Sequence, residues 1–476
     1  MAKNMSRFLK PQPPIDPADE QTRPWLGNIQ GNILKGHGRP FSAFVLFAFR
    51  RSDRSNRALL RAAAEDPDHQ MTSALKQYVD ARKRADFPNR PFRSLALSAA
   101  GLLACGYQES DFGEDARRIE PAFWETNLPG RLSDRVRWEK AFAGPVHGVL
   151  TLACQSENAL RHMVANSRTW LLRHAARVVK VEHAFVWRPE QDGPAREPFG
   201  FADGFAHPRL VADGPETQAR ETRGPFGVIR NRDFVHPTEL PLSQVLHVKE
   251  AGDSLWGSSF MVVRKLEQNV RAFAEAEAEL GKELARSGCP FRPKEAGALF
   301  IGRERDGTPL VPGGKPLDHE FSFNGDANGM RCPFHAHIRK VNPRQKITNA
   351  NHGATDATQQ RSVQFVRRGV VFGNRDKLHF PLRVDQAPTR GVGLMFVGFM
   401  SSIQGQFEVI HRNWSVDPNF PVAGTDLSDP LVSGGGLWHW APRSDVKLKI
   451  KLKRRLVTPR GGLYLLVPPL SWLAAQ

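Results

Sequence analysis

Four times along this chain an apolar, strand-forming run passes through a polar capping residue into a pattern of helical period. This recurrence limits the available folds more than any other feature. The first run is Ala43-Phe-Val-Leu-Phe-Ala-Phe49, followed by Ser52 and Asp53 and then by Leu59, Leu60 and Ala64 on one helical face. The second is Gly148-Val-Leu-Thr-Leu-Ala153, with Ser156 and then Leu160, Met163 and Val164. Ser259-Phe-Met-Val-Val263 precedes Leu266, Val270 and Phe273, and Gly393-Leu-Met-Phe-Val-Gly-Phe399 leads to Ser401 and Ser402. Two units fall in each half of the chain.

Two β-α-β-containing halves with long connections predict an α+β fold of tandem ferredoxin-like domains, with antiparallel β-sheets and peripheral helices. The polar stretch Glu190-Gln-Asp-Gly-Pro-Ala-Arg-Glu-Pro198 suits neither helix nor strand and marks the boundary. The expected division is a Pro-rich flexible arm over 1–23, an N-terminal domain over 24–195 and a C-terminal domain over 196–476. Residues 345–360, rich in Asn, Thr and Gly, read as a surface loop. Val446-Lys-Leu-Lys-Ile-Lys-Leu-Lys453 alternates strictly, which in a strand turns four lysines to one face; a solvated edge protected by lysines is the simplest reading.

At 476 residues and 40% hydrophobic, the chain can bury a substantial core. Its net charge of +18 is spread along the chain rather than gathered in a tail, which indicates a basic surface without selecting a partner. Cys105, Cys154, Cys289 and Cys332 form no C-x-x-C pair, which argues against a structural zinc site or an iron–sulfur cluster and suits a reducing compartment. No apolar run reaches the roughly 18 residues that a membrane span needs, and the N-terminus lacks a signal-peptide pattern. A cytoplasmic protein is the expectation. No nucleic-acid motif is recognisable, so no specific nucleic-acid partner is expected.

Three segments gather groups capable of proton or metal chemistry. In Phe199-Gly-Phe-Ala-Asp-Gly-Phe-Ala-His-Pro208, glycines flank Asp203 and let the backbone approach a flat ligand among phenylalanines. Taken alone, an Asp-Gly turn explains this segment as well. Arg331-Cys-Pro-Phe-His-Ala-His-Ile-Arg-Lys-Val-Asn-Pro-Arg344 carries His335 and His337 at a spacing that shares a face in a strand, but two imidazoles make a weak zinc site. In Phe365-Val-Arg-Arg-Gly-Val-Val-Phe-Gly373, Arg367 and Arg368 interrupt an apolar run, and an inward-facing guanidinium there needs an anion opposite it.

Together with Ile-Gln-Gly-Asn-Ile-Leu at 29–34, these segments resemble the dye-decolourising haem peroxidases. The matching elements are Gly-Phe-x-Asp-Gly at 200–204, Cys-Pro-x-x-Ala-His-Ile-Arg-Lys-x-Asn-Pro-Arg at 332–344 and Arg-Arg-Gly-x-x-x-Gly at 367–373, in the family's order. Residues 257–270 and 458–464 are similar to it as well. The resemblance implies one haem b per chain, held mainly by the second domain, with His337 as axial iron ligand and His335 as a bystander. It implies Asp203 and Arg367 as the distal catalytic pair, reducing hydrogen peroxide and oxidising aromatic or dye-like donors through a ferryl intermediate.

Phe201 and Gly204 then belong to the cofactor surface, and Arg339, Asn342 and Arg344 are the propionate-side candidates. Glu408 is the candidate acceptor for the second imidazole nitrogen, and ten tryptophans against three tyrosines favour Trp as a surface electron relay. Gly369 departs from the Ser or Asn often found in the family at that position. An iron-releasing or haem-binding protein of the same fold, and a non-catalytic polyanion or nucleic-acid binder, are the alternatives. Assembly into a homo-oligomer is left open.

Overall fold

The computed structural model describes residues 15–82, 90–109, 138–206, 208, 210–211, 240–248, 254–289, 291–318, 321–349, 353–424 and 426–476. The first half contributes β1 (Phe41–Phe49), α1 (Arg57–Glu65), β2 (Phe92–Leu97), β3 (Gly148–Cys154), α2 (Glu157–Arg173) and β4 (Ala176–Phe185). In the second half, β5 (Ser259–Gln268) runs into α3 (Val270–Arg286). Two short pieces, β6 (Val366–Arg367) and β7 (Val370–Gly373), pair with β8 (Val392–Met400). A wide i→i+5 helix, α5 (Ile403–Ser415), follows, then β9 (Gly436–Arg443), β10 (Val446–Leu452) and β11 (Val457–Val467). A short helix, α4 (His337–Val341), lies in the connection between α3 and β6.

All four expected strand-to-helix units form, and the caps are the polar residues at the junctions. Asp53 accepts from the amide of Ser55, Ser156 from that of Ala159, Asn269 from that of Ala272 and Ser402 from that of Gly405. The first half orders its strands β4-β1-β3-β2 and the second β11-β5-β8-β7, every pairing antiparallel. That is the ferredoxin-like order, twice. The two sheets also join edge to edge, β4 to β7 and β2 to β11, so eight strands form a closed ring.

Strand alternation divides the core. Phe44, Leu46, Val149, Met261, Met395 and Leu465, drawn from strands all round the ring, pack together inside it. Their neighbours Val45, Leu150 and Leu152 face outward beneath Leu60, Leu160 and Met163 of α1 and α2. On the other half, Phe273 and Leu280 of α3 pack with Phe199, Phe300 and Trp438 in a separate cluster. The lysine-rich strand is β10. Its lysines are exposed, its aliphatic side chains are buried, and it pairs only with β9.

The seams of the ring are short. One rests on a single residue pair, Leu97 with Leu466, and the other on Ala184–Phe372 and Phe185–Val371. The first is completed by a side chain, since the buried Gln30 amide donates to Leu95 O at 3.0 Å and Pro468 O at 2.8 Å. Its oxygen accepts from Leu95 N at 2.8 Å and Ser94 Oγ at 3.0 Å. Gln30 thus does what a strand pair does elsewhere.

Two expectations change. Ile15, placed by sequence in a flexible arm, is buried and its amide donates to Leu210 O at 2.9 Å, because an apolar side chain at the end of the polar arm finds core to cover. Residues 1–14 lie outside the described residues. The stretch read as a surface loop over 345–360 contains a two-stranded ribbon, Ile347–Asn349 with Gly353–Thr355, and a helix, Ala357–Ser362, opened by an Asp356–Gln359 capping box. Among the described residues no helix is long and apolar enough to cross a membrane.

Gln30→Leu tests the stitched seam. It strands the buried amide and carbonyl groups of Leu95 and the carbonyl of Pro468, at about 1–3 kcal/mol for each group left unpaired. The expected result is a clearly lower melting temperature; an unchanged melt means that the seam does not depend on Gln30.

Candidate haem and peroxide site

His337 opens α4 directly after the turn at Pro333–Ala336, so the strand geometry that would put His335 and His337 on one face is absent. His335 is buried edge-on against Trp438, with ring centroids 5.3 Å apart, and burial lowers its pKa to about 3, as a neutral core histidine. His337 differs. Its Nδ1 lies 2.6 Å from Asp429 Oδ2, and the carboxylate is fully buried while the imidazole is 33% exposed. Burial lowers the imidazole pKa, but the charge and hydrogen bond of Asp429 outweigh it and leave a net rise. The Arg367 and Asp203 charges act weakly on the same ring, one lowering and one raising its pKa.

Asp429 holds its own position by accepting from Leu431 N at 2.9 Å and donating its backbone N–H to Ser415 O at 2.9 Å. Glu408, the acceptor expected from sequence, faces elsewhere: Tyr464 Oη donates to its Oε1 at 3.1 Å. The wide turn of α5 points Glu408 at the sheet rather than at α4, and the acceptor comes from the irregular segment after α5, which carries no periodic signal.

The Asp203 loop is tied down at several points. Gly200 adopts φ +91° and Gly204 φ +79°, a conformation that favours glycine. A Cβ at Gly204 would meet nothing within 4 Å, so the backbone there leaves open space in front of it. Ala202 N donates to Arg305 O at 3.0 Å and Asp203 N to Ala195 O at 2.8 Å. The Asp203 carboxylate is half-buried and has no hydrogen-bond or ion-pair partner among the described residues. Phe201 is buried edge-on against Phe273 of α3, with Arg305 over its ring, so its side chain belongs to the core beneath the site. That corrects its assignment to the cofactor surface.

Arg367 and Arg368 leave the strand in different directions. Arg367 donates to Ala206 O at 3.3 Å, which attaches it to the loop of Asp203. Arg368 donates to Asn32 O at 3.0 Å and Ile33 O at 3.2 Å, the carbonyls of the Ile-Gln-Gly-Asn-Ile-Leu segment, and burial lowers its pKa to about 9. Gly369 is exposed, and a Cβ there would sit 3.5 Å from Met395 O, so a larger residue fits.

Of the expected propionate-side residues, Arg339 is corrected. It is fully buried, and its nitrogens donate to Asp326 Oδ2 at 3.0 Å, Cys332 O at 2.6 Å, Asp326 O at 2.8 Å and Gln345 Oε1 at 2.6 Å, so its donors are spent on the turn that presents His337. Asn342 ends α4 through its amide to Ile338 O at 3.0 Å, and its side chain makes no hydrogen bond among the described residues. Arg344 stays a candidate. It is buried at φ +48° with its guanidinium 4.4 Å from the Phe321 ring centroid, and burial, together with the charges of Arg303 and Arg367, lowers its pKa to about 9.

Arg303, which sequence reasoning missed, has its guanidinium 4.9 Å from the Phe321 ring centroid and 5.1 Å from that of Phe205 in the Asp203 loop, and its Nη1 donates to Gly307 O at 2.6 Å. Its pKa falls to about 10 through burial, with Arg367 adding to the effect against Asp318. A single imidazole, held at one nitrogen by a carboxylate, suits an iron whose remaining equatorial donors come from a macrocycle. Buried guanidinium groups whose pKa is lowered by burial and by neighbouring positive charge suit a ligand that brings carboxylates. The donor set therefore fits haem.

No protein-family model matches the chain. Among curated proteins it is 29% identical over 470 residues to the multifunctional dye peroxidase DyP2 of an Amycolatopsis species, covering 94% of this chain and 95% of that one. It is 25% identical to the dye-decolorizing peroxidase msp1 of Mycetinis scorodonius, covering 94% and 86%. Among solved structures, the DyP-type peroxidase of an Anabaena species superposes with a TM-score of 0.79 at 26% identity, covering 100% of this chain and 99% of that one. Along nearly its whole length, then, the chain is similar in sequence and in fold to proteins named as dye-decolourising peroxidases.

Proposed function

We propose that this chain is a haem b peroxidase that reduces hydrogen peroxide with electrons from aromatic, dye-like donors, with His337 as axial ligand and Asp203 and Arg367 as the acid–base and charge-stabilising pair. The observation that carries this reading is an imidazole bonded to buried Asp429 on one nitrogen, together with an arginine, Arg367, attached to the loop of Asp203 at Ala206 O. The family is haem-dependent, and its named members are peroxidases acting on dyes. The iron-releasing and polyanion-binding alternatives are not favoured by these relatives. A cytoplasmic setting belongs to the same proposal, supported by four cysteines that are all free thiols, as does the division of the chain near 195.

Haem, when bound, supplies the iron that receives peroxide and the store for two oxidising equivalents. The rest is done by side chains. Asp429 accepts the Nδ1 proton of His337, which fixes the tautomer, leaves Nε2 for the metal and raises the ligand's basicity. Asp203, as carboxylate, takes a proton from one oxygen of hydrogen peroxide and returns it to the other, which leaves as water. Arg367 offsets the negative charge that builds on the departing oxygen. Arg303 and Arg344 pair with the propionates. Two one-electron donors then restore the resting enzyme.

The first test is the visible spectrum of haem-loaded protein before and after one equivalent of hydrogen peroxide. A haem Soret band that changes on peroxide addition is expected, and a folded protein that binds no haemin overturns the reading. Asp203→Asn should slow the peroxide reaction by roughly 10²–10⁴-fold and Arg367→Ala by roughly 10²–10³-fold, both with haem retained, as read by stopped-flow absorbance.

A paired comparison separates the two arginines near the ligand. Arg344→Ala removes one cation of the cluster, so haem affinity falls in titration, while the haem-free protein loses less melting temperature than it does with Arg339→Ala. Arg339→Ala leaves Asp326 buried without its partner, at about 3–5 kcal/mol, and the haem-free melting temperature drops. The reverse pattern would return Arg339 to the cofactor site.

A further inference from the structure

We infer that Glu197 is a positioning residue for Asp203, holding the loop that carries it against the end of a barrel strand. The inference rests on the role proposed above for Asp203. Glu197 lies six residues before the aspartate, on the far side of the Gly200 turn. Its Oε1 accepts from Phe201 N at 2.9 Å, and its Oε2 accepts from Phe199 N at 2.9 Å and from Gln268 Nε2 at 2.6 Å. Gln268 is buried and ends β5, in the wall of the ring. One carboxylate therefore joins two main-chain amides of the loop to the barrel.

The backbone of the loop adds to this arrangement. Glu197 N donates to Phe201 O at 3.0 Å and Gly200 N to Glu197 O at 2.8 Å, so residues 197–201 curl round the carboxylate. Arg196 Nη1 donates at 2.8 Å to both Gly200 O and Arg305 O, and Arg305 O also takes the amide of Ala202, next to Asp203. The bonds of Glu197 and those at Arg305 thus meet on one short stretch, with Asp203 at its end.

The donor count makes the residue type specific. Three N–H donors converge on two oxygens, and a carboxylate has acceptor sites for all three. Glutamine has one oxygen, so its NH₂ would face at least one of the three donors and the loop would open there. The Asp203 carboxylate has no hydrogen-bond or ion-pair partner among the described residues, so its position is inherited from its backbone, whose N–H donates to Ala195 O. A shift of about 1 Å at a reacting group costs on the order of 10²-fold in rate.

The test is a double-mutant cycle on haem-loaded protein, with stopped-flow peroxide kinetics and amide hydrogen exchange over 197–203. Glu197→Gln is expected to slow the peroxide reaction by about ten- to a hundredfold and to speed exchange at Phe199 and Phe201, with haem retained. In an Asp203→Asn background the same substitution should change the rate less than threefold, because the effect travels through the aspartate. Should Glu197→Gln fail to fold, Gln268→Ala, which removes one of the three donors, is expected to show a weaker version of both effects.

Glu197→Gln/Gln268→Glu restores one donor–acceptor match and should recover part of the rate. Equal slowing by Glu197→Gln with and without Asp203 overturns the inference, and so does faster exchange with no change in rate. If Asp203→Asn alone leaves the peroxide reaction untouched, the proposed role of Asp203 fails instead, which separates the two.

Discussion

The ring of strands has to close. Each ferredoxin-like half leaves two sheet edges with unpaired amides and carbonyls, and an uncovered edge is a template for pairing with another chain. The halves solve this by meeting edge to edge, yet the seams hold one and two residue pairs. So little backbone pairing needs reinforcement. Gln30 supplies it at the first seam, spending its amide nitrogen and oxygen on Leu95 and Pro468. The other seam runs through β7, the continuation of the strand piece that carries Arg367. Closure and the candidate site therefore share a strand.

That sharing explains two motifs that sequence alone left without a mechanism. Val366 packs inside the ring, Arg367 reaches the carbonyl of Ala206, and Arg368 reaches Asn32 and Ile33. In an extended strand neighbours point to opposite faces, so two adjacent arginines can serve two places at once. Gln30 and the carbonyls of Asn32 and Ile33 sit within four residues of one another. The opening segment is thus a clamp that grips one seam with a side chain and Arg368, the neighbour of Arg367, with its backbone carbonyls.

What could be read from the sequence follows the range of each interaction. The four strand-to-helix units were legible because period and capping are local, and the ferredoxin-like order follows from them with few alternatives. His337, Asp203 and Arg367 could be proposed from sequence because each lies in a motif with its own turn chemistry, and Arg367 donates to the Asp203 loop at Ala206 O. Asp429 was not, because it lies 92 positions from His337 in an irregular segment. Glu408 looked eligible only by type and lies on Tyr464. Arg339 and Arg344 could not be told apart by proximity to the ligand. The difference between them is whether a buried carboxylate stands opposite, and only the fold decides that.

The same contrast between the two arginines bears on what the site recognises. Arg339 has Asp326 in contact, so its charge is compensated inside the protein and adds to the rigidity of the turn before His337. Arg303 and Arg344 sit by aromatic rings, and burial first, then neighbouring guanidinium charge, lowers the pKa of each. Burying them together costs free energy, and under the proposed reading a ligand bearing carboxylates would return part of it on binding. Affinity for that ligand then appears as stability of the native state, growing as RT ln(1 + [L]/Kd).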